Sequence, residues 1–294
     1  MNEPDGHHVA AYDPDLADRL AAEAADIVRA LGFAAAHVVL IGGLVPGLLV
    51  PVLDPGIEPH VGTADIDLCL SVALVEGDTE SYERIETVLK GLGFEEGDVS
   101  FRWLRHDGIG LTLEFFCPAG DLRPAGRVFR PSNADNPTGK HNFGGRLSAL
   151  ALQAGELLTT DVEVVSRTFV LPQNKGTIDM ELRVTGPLAF LTAKIDALRG
   201  RDKPKDAYDM VWLIESWPGG PAAAAAAFAQ RPAYRRPEVA AALESISDAF
   251  AATDRIGARS YARFVATDAR DEPRLERRAV GAVAEFIAAL PDGN

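Results

Sequence analysis

The sequence has few of the features that would place it in a membrane or outside the cell. Its 294 residues include only two cysteines, Cys69 and Cys117, too few for a disulfide framework and not spaced for a zinc site. No apolar run reaches the roughly 18 residues that span a bilayer, since the longest, residues 37–52, is interrupted by Gly42-Gly43. The acidic, polar first residues do not resemble a secretory signal. We therefore expect a cytoplasmic protein with no membrane part and with both thiols reduced and buried.

An excess of positive charge is also missing. The formal net charge of −14 argues against a protein that coats itself with nucleic acid, although it leaves room for a local basic groove. The hydrophobic and charged fractions, 47% and 24%, are those of a globular protein. A chain of 294 residues can build one large core or two modest domains.

Predicted strands and helices are mixed in the first part of the chain, and only helices are predicted after residue 186. Helices are predicted over 13–31, 44–53 and 80–92, and strands over 37–41, 65–72, 100–105, 110–116, 161–171 and 177–184. Later helices are predicted over 188–198, 207–216, 222–230, 237–251, 261–265 and 275–290. The sequence thus predicts an α+β fold: a mixed sheet with flanking helices in a domain of residues 1–186, followed by an all-helical domain of residues 187–294.

Three carboxylates on predicted strands form the most informative pattern. Asp65 and Asp67 are two residues apart on a strand, so both project from one face. Glu114 lies between apolar residues of another strand, where a charge needs a reason. Neighbouring carboxylates repel each other, and a divalent cation removes that cost. We therefore expect Asp65, Asp67 and Glu114 to bind metal, and two Mg²⁺ ions would suit phosphoryl transfer.

The glycine pair Gly42-Gly43 follows a predicted strand, where backbone N–H groups can approach a triphosphate. Alone, a D-x-D sequence is more often a solvated strand face, and a glycine pair is usually a turn. Together, the order strand, Gly-Gly, helix, D-x-D and third carboxylate resembles the DNA polymerase β-like nucleotidyltransferases. That resemblance implies an NTP substrate and their mixed-sheet fold. The connector over residues 50–62 is longer here than in compact members of that group.

A second pattern is Lys194-Ile-Asp-Ala-Leu198, a basic turn, and Lys205-Asp206-Ala-Tyr-Asp209. With Thr63 before the D-x-D, it resembles the AbiEii-type nucleotidyltransferases, which include the MenT toxins of mycobacteria, over about residues 42–213. The resemblance implies two overlapping sets of site residues. The catalytic set is Asp65, Asp67, Glu114, Lys194 and Asp209, and the nucleotide-binding set is Gly42, Gly43, Thr63, Lys194, Lys205 and Asp206.

Within these sets, the resemblance implies that Lys194 contacts the triphosphate. Physically, Asp206 and Asp209 are three residues apart on a helix and can hold a lysine or a metal-bound water. The alternative is an ordinary pair of helices with solvated charges. In the implied reaction a hydroxyl attacks the α-phosphate and pyrophosphate leaves, while Glu114 activates the hydroxyl or only binds metal.

The same resemblance implies an RNA acceptor, in particular the 3′ end of tRNA, and the role of toxin beside a cognate antitoxin protein. Basic residues could line an RNA groove, with Phe129 and Phe143 stacking on bases. These basic residues are Arg123, Arg127, Arg130, Lys140, His141, Arg146, Arg199, Arg201, Lys203 and Lys205. A surface loop of ordinary arginine content is an equal alternative for the stretch over 123–146.

Two other functions remain open from the sequence. The net charge of −14 also suits an enzyme that transfers a nucleotide to a cationic small molecule such as an aminoglycoside. A binding or scaffold protein without catalysis is disfavoured because all three carboxylates are present.

Overall fold

A computed structural model describes residues 8–71, 79–121, 123–130 and 147–291. Its contacts divide the chain into two compact units. The first unit contains Asp18–Leu44 and Thr63–Thr185. The second contains Asn2–Ala17, Val45–Gly62 and Gly186–Asn294. The sequence predicts a division after residue 186, and the last boundary between the units follows Thr185. Asn2–Ala17 and Val45–Gly62, which the sequence assigns to the first domain, group with the second unit.

The first unit is built on one mixed sheet. Its strands are β1 (Val38–Ile41), β2 (Asp65–Leu70), β3 (Glu95–Glu96), β4 (Arg102–Arg105), β5 (Leu111–Pro118), β6 (Val128–Phe129), β7 (Ala149–Leu152), β8 (Val162–Val170) and β9 (Thr177–Thr185). The order is β3-β4-β5-β2-β1-β9-β8, and β7 pairs with both β5 and β6. Strand β1 is antiparallel to β2 and parallel to β9, while β2 is parallel to β5. The mixed sheet expected from the sequence is confirmed.

Alternation along β2 and β5 separates an apolar face from a polar face. Ile66, Leu68, Leu113 and Phe115 are fully buried, and the residues between them are only half-buried. Because successive side chains of a strand point to opposite faces, the carboxylates of these strands share the half-buried face. The apolar face forms the core of the unit.

The longer helices form where the apolar periodicity predicts them. They are α1 (Pro14–Ala30), α2 (Val45–Leu49), α3 (Thr79–Gly91), α4 (Gly155–Thr160), α5 (Pro187–Gly200), α6 (Lys205–Ser216), α7 (Gly220–Ala229), α8 (Pro237–Ala249), α9 (Ile256–Val265) and α10 (Glu272–Ala289). The described part of the chain after residue 186 contains helices and no strand, as predicted.

The second unit is held by helix packing around aromatic side chains. The alanine-rich α7 buries Ala224, Ala225 and Phe228, and the Phe228 ring lies 5.7 Å from that of Phe286 on α10 and 4.8 Å from that of Trp217. A run of alanines is therefore a packed helix here, in agreement with the high helix propensity of this residue.

Some short elements differ from the prediction. Helix α2 has five residues where ten were expected, and α4 and the strands β3, β6 and β7 were not predicted. Elements of two to six residues give too few repeats for a periodic pattern.

Both cysteines are buried, and burial raises the pKa of the Cys117 thiol to about 11. No helix in the described ranges has the length and apolar character that a bilayer crossing requires.

Gly155, the first residue of α4, lies against the end of β5. A Cβ atom there would be 2.5 Å from Pro118 Cα and 2.8 Å from Cys117 O, both backbone atoms. Because backbone cannot rotate away, Gly155→Ala is expected to destabilise the protein by about 1–3 kcal/mol, the usual cost of overpacking. Gly281→Ala, in the interior of α10 with nothing within 4 Å of the added Cβ, is the control and should stabilise by about 0.5–1 kcal/mol. Urea unfolding of both variants tests this, and equal midpoints would contradict it.

Candidate active site

The glycine turn after β1 lies directly against one carboxylate of β2. Ile41, the last residue of β1, pairs with Asp67 across the antiparallel ladder. Gly42 follows with a φ of +75°, and a Cβ atom on it would be 1.9 Å from Asp67 Oδ2. Only glycine combines this left-handed backbone with such close approach. The predicted neighbours Gly42 and Asp67 are therefore brought together.

The register of β2 and β5 gathers the three predicted carboxylates on one face. Asp67 pairs with Glu114 in the parallel ladder, and Asp65 pairs with Thr112. Paired residues on adjacent strands lie about 5 Å apart. In addition, Thr63 Oγ1 donates a hydrogen bond to Asp65 Oδ1, so Thr63 fixes the orientation of that carboxylate.

Glu114 has a partner that the sequence analysis did not identify. Arg102 on β4 is its antiparallel neighbour, and Nε and Nη2 of Arg102 lie 2.7 Å and 2.6 Å from Glu114 Oε1. This ion pair accounts for a charge in the middle of an apolar strand. Arg102 lies twelve residues before Glu114, and the short gap between the predicted strands 100–105 and 110–116 was a usable signal that the two strands pair.

The donor chemistry of the carboxylate face suits a hard divalent cation, which takes oxygen ligands. Asp65 and Asp67 supply carboxylate oxygens from one face of β2, beside a turn that leaves no room for a Cβ. Across the described ranges, however, no three His, Cys, Asp or Glu side chains are grouped so as to hold a metal ion. Glu114 as a third ligand stays a prediction, and its Oε1 atom is already paired with Arg102.

The second unit contains a buried group of charges, here called the ion network. Its members are His60, Lys194, Arg201, Lys205, Asp206 and Asp209. Lys194 Nζ lies 2.9 Å from Asp206 Oδ1 and 2.7 Å from Asp209 Oδ2, so the two aspartates hold this lysine between them, one of the possibilities expected for their spacing. Lys205 Nζ lies 2.6 Å from Asp209 Oδ1.

Pairing decides the charge of each group in this network. Burial works against the ionised carboxylate of Asp209, but Lys194 and Lys205 outweigh it and hold the pKa of Asp209 well below its usual value. Burial likewise opposes the charge on Lys194, and the two aspartates outweigh it, raising the pKa of that ammonium. For Lys205 burial prevails and lowers the pKa. Asp209 is thus the charge centre that keeps both lysines in place.

His60 completes the network and was given no role by the sequence analysis. Its Nδ1 accepts a hydrogen bond from the Gly62 backbone N–H at 3.0 Å, so the proton of the neutral ring is on Nε2, which donates to Asp209 Oδ1 at 2.9 Å. The ring stacks on Tyr208 and meets the edge of Trp212, with centroids 5.1 and 4.9 Å apart. His60 thereby fastens the Val45–Gly62 segment to α6.

The predicted site residues thus fall into two groups. Gly42, Gly43, Thr63, Asp65, Asp67 and Glu114 lie in the first unit, and Lys194, Lys205, Asp206 and Asp209 lie in the second. Contacts of Lys194 and Lys205 with a nucleotide stay predictions.

The predicted basic groove needs correction at two residues. The buried Arg123 donates from Nε to Pro118 O, and its guanidinium lies over the Phe129 ring at 5.5 Å. Lys205 is buried in the ion network and does not line a surface. Arg127 and Arg130 are exposed. Lys140, His141, Phe143 and Arg146 lie outside the described residues.

Comparison with known proteins identifies one matching family. A family model described as "Nucleotidyl transferase AbiEii toxin, Type IV TA system" matches residues 58–286, which include every predicted site residue except Gly42 and Gly43. No curated protein matches the chain. A crystal structure of an antigenic nucleotidyltransferase-like protein from Paracoccidioides brasiliensis is similar at 14% identity, over 83% of this chain and 84% of that one, with a TM-score of 0.32. At that TM-score the likeness supports no argument about this chain.

The buried His60 predicts a pH dependence of stability. Burial lowers the pKa of His60 from 6.5 to about 4 in the folded state. The unfolded chain therefore binds more protons between these values, so the contribution of His60 is complete above about pH 6.5 and is lost as the pH falls toward 4. The loss amounts to about 3 kcal/mol.

His60→Gln tests this assignment, because the amide can donate to Asp209 from nearly the same position and does not titrate. We expect the difference in unfolding free energy between pH 7 and pH 4.5, from urea titrations, to be smaller in the variant than in the wild type. An identical difference in both proteins would show that His60 is not buried and neutral.

Proposed function

The chain belongs to the AbiEii family of nucleotidyl transferase toxins of type IV toxin–antitoxin systems, and on this premise we propose that it transfers a nucleoside monophosphate from an NTP to RNA with Mg²⁺. The observation that carries the proposal is the placement of Asp65 and Asp67 on one strand face, with Gly42 against Asp67. Mg²⁺ is usually bound by one or two carboxylates together with the phosphates of the substrate, and this strand face supplies two carboxylates.

Asp65 and Asp67 would hold the Mg²⁺ ions, with Glu114 as a further ligand. When bound, Mg²⁺ would neutralise phosphate charge and align the triphosphate for displacement. Thr63 orients Asp65 through its hydrogen bond, and the turn at Gly42-Gly43 lets backbone N–H groups approach the phosphates. These roles use only groups that lie on the polar face of the sheet or beside it.

In the proposed reaction, an acceptor hydroxyl oxygen bonds to the α-phosphorus, the α–β phosphoanhydride bond breaks, and pyrophosphate leaves. The hydroxyl proton passes to a base. Glu114 is a candidate for that base, but its ion pair with Arg102 favours a positioning role. Proton transfer to solvent then remains the simpler route.

The proposed role of the ion network is to present Lys194 in one orientation. Asp206 and Asp209 hold the ammonium from two sides, and His60 and Lys205 fix Asp209 in turn. A cation held in this way loses little freedom on binding phosphate, which makes electrostatic stabilisation of a leaving pyrophosphate more effective. Lys194, Lys205, Asp206 and Asp209 are the residues we assign to this task.

The 3′ end of tRNA is the proposed acceptor, as the MenT toxins would suggest, and the antitoxin of the family's toxin–antitoxin pairs is the proposed protein partner. The second candidate acceptor is a cationic small molecule, favoured only by the net charge of −14. An enzyme for a cationic drug would need an acidic pocket at the carboxylates, whereas Arg102 places a positive charge beside Glu114. RNA is therefore the acceptor to test first.

A transfer assay tests the proposed function. The protein is incubated with Mg²⁺, each labelled NTP, and either total tRNA or a panel of aminoglycosides. We expect label on tRNA, loss of label when EDTA is added, and at least a ~100-fold loss in Asp67→Asn, because removing a metal ligand removes the stabilisation of transition-state charge. Asp179→Asn, at an exposed aspartate on β9, is the control and should stay active.

Each contrary result of this assay has a clear meaning. Label only on the drugs would replace RNA by the second candidate acceptor. Wild-type activity of Asp67→Asn would remove Asp67 from the site.

Gly42→Ala tests the contact between the glycine turn and Asp67. The added Cβ would overlap Asp67 Oδ2 and strain a backbone with φ of +75°, so the carboxylate must move. A displacement of about 1 Å at a reacting centre lowers the rate about 100-fold, and we expect a loss of that size in the transfer assay. Gly47→Ala, where nothing lies within 4 Å of the new Cβ, should keep full activity. Equal activity of the two variants would contradict the proposed geometry.

A further inference from the structure

A surface cavity of about 330 Å³ lies beside the turn between α5 and α6 in the second unit. Three cationic side chains, Arg199, Arg201 and Lys203, line it against one anionic side chain, Asp202. Asp202 is itself paired with Arg263, which reduces its effect on the cavity. In a chain of net charge −14, this is a local concentration of positive charge. Such a surface attracts an anion over about one Debye length, about 8–10 Å, even when the protein as a whole is acidic.

From this cavity we propose a binding subsite for the phosphodiester backbone of an RNA strand. The inference rests on the proposed function, because it concerns the acceptor of that reaction. Arginine and lysine side chains bind phosphate oxygens by charge-assisted hydrogen bonds. Arg199 and Lys203 are assigned as the phosphate contacts, since they flank the turn from its two ends.

The remaining lining residues favour a nucleotide unit over a bare anion. The side chain of Ile256 is an exposed apolar surface, 53% accessible, at the wall of the cavity. A ribose or base can cover this surface while its phosphate meets the cations. Ser260 lies in the same wall, and serine hydroxyls are among the groups that contact sugar or phosphate oxygens.

A neighbouring cavity of about 540 Å³ has the opposite character. It shares Asp202, Ile256 and Ser260 with the first, and its other acidic lining residues are Asp254, Glu272 and Glu276, against Arg259 and Arg263. A polyanion is disfavoured beside those carboxylates. The contrast in charge therefore directs a phosphodiester to the side of the α5–α6 turn.

Arg201 joins this cavity to the ion network. Its Nε and Nη2 lie 2.9 Å from Asp206 Oδ2 and 3.0 Å from Asp206 Oδ1, while Asp206 also holds Lys194. Because Asp206 offsets the charge of this guanidinium, as Arg263 offsets that of Asp202, the positive charge of the cavity comes mainly from Arg199 and Lys203. Asp206, which contacts both Arg201 and Lys194, therefore links a phosphate bound beside Arg201 to the ion network.

Fluorescence anisotropy with a labelled single-stranded oligoribonucleotide, without NTP, tests the subsite on the full chain. We expect Arg199→Ala/Lys203→Ala to weaken binding about tenfold at 0.1 M salt, and to reduce the slope of log K against log salt by about 0.7 for each lost phosphate contact. The control is Arg274→Ala/Arg277→Ala, which removes two exposed arginines of α10 outside the cavity. It should change affinity less than twofold.

Three results of the binding measurement would overturn the inference: equal weakening by both double variants, no weakening by either, or displacement of RNA by ATP alone, since the last would make the cavity a site for the nucleotide substrate. Circular dichroism confirms that each variant is folded. A binding effect without any transfer activity in the wild type would sustain this subsite and refute the proposed function. If the cavity variant keeps its transfer activity with an unchanged KM for tRNA, the subsite is refuted and the proposed function stands.

Discussion

The polar face of the first unit depends on the close approach of the Gly42 backbone to the carboxylate of Asp67. Ile41, the last residue of β1, pairs with Asp67 of β2, so the glycine turn that follows β1 begins beside this aspartate. Any side chain at residue 42 would occupy the position of Asp67 Oδ2. The same register, continued from β2 to β5, puts Glu114 beside Asp67. One backbone constraint thus assembles the glycine turn and the carboxylate face.

The second unit solves a different physical problem, the burial of several charges. Ions removed from water are costly, and the network offsets this cost by giving Asp209 three polar partners, Lys194, Lys205 and His60. The neutral His60 contributes a hydrogen bond without adding charge. Arg201 extends the network to the surface, so the buried lysine and the exposed turn share Asp206.

Local patterns in the sequence were sufficient for the class of fold and for the carboxylate pair. Strict alternation around Asp65 and Asp67 predicts a strand with both carboxylates on one face, and the structure has this arrangement. Long-range pairings could not be predicted in the same way. His60 meets Asp209 across 149 residues, and no local pattern marks it. The assignment of 45–62 to the helical unit depends on such contacts, including Trp212 Nε1 donating to Glu58 O at 3.0 Å. The pairing of Arg102 with Glu114 could have been predicted from the short gap between the strands over 100–105 and 110–116, but it was missed.

The most direct test of the account is a crystal structure of the protein with a non-hydrolysable NTP analogue and Mn²⁺, whose anomalous signal locates each ion. We expect Mn²⁺ ligated by Asp65 and Asp67, with the triphosphate beside Gly42-Gly43. A bound nucleotide whose Mn²⁺ ions have no contact with Asp65 or Asp67 would contradict it.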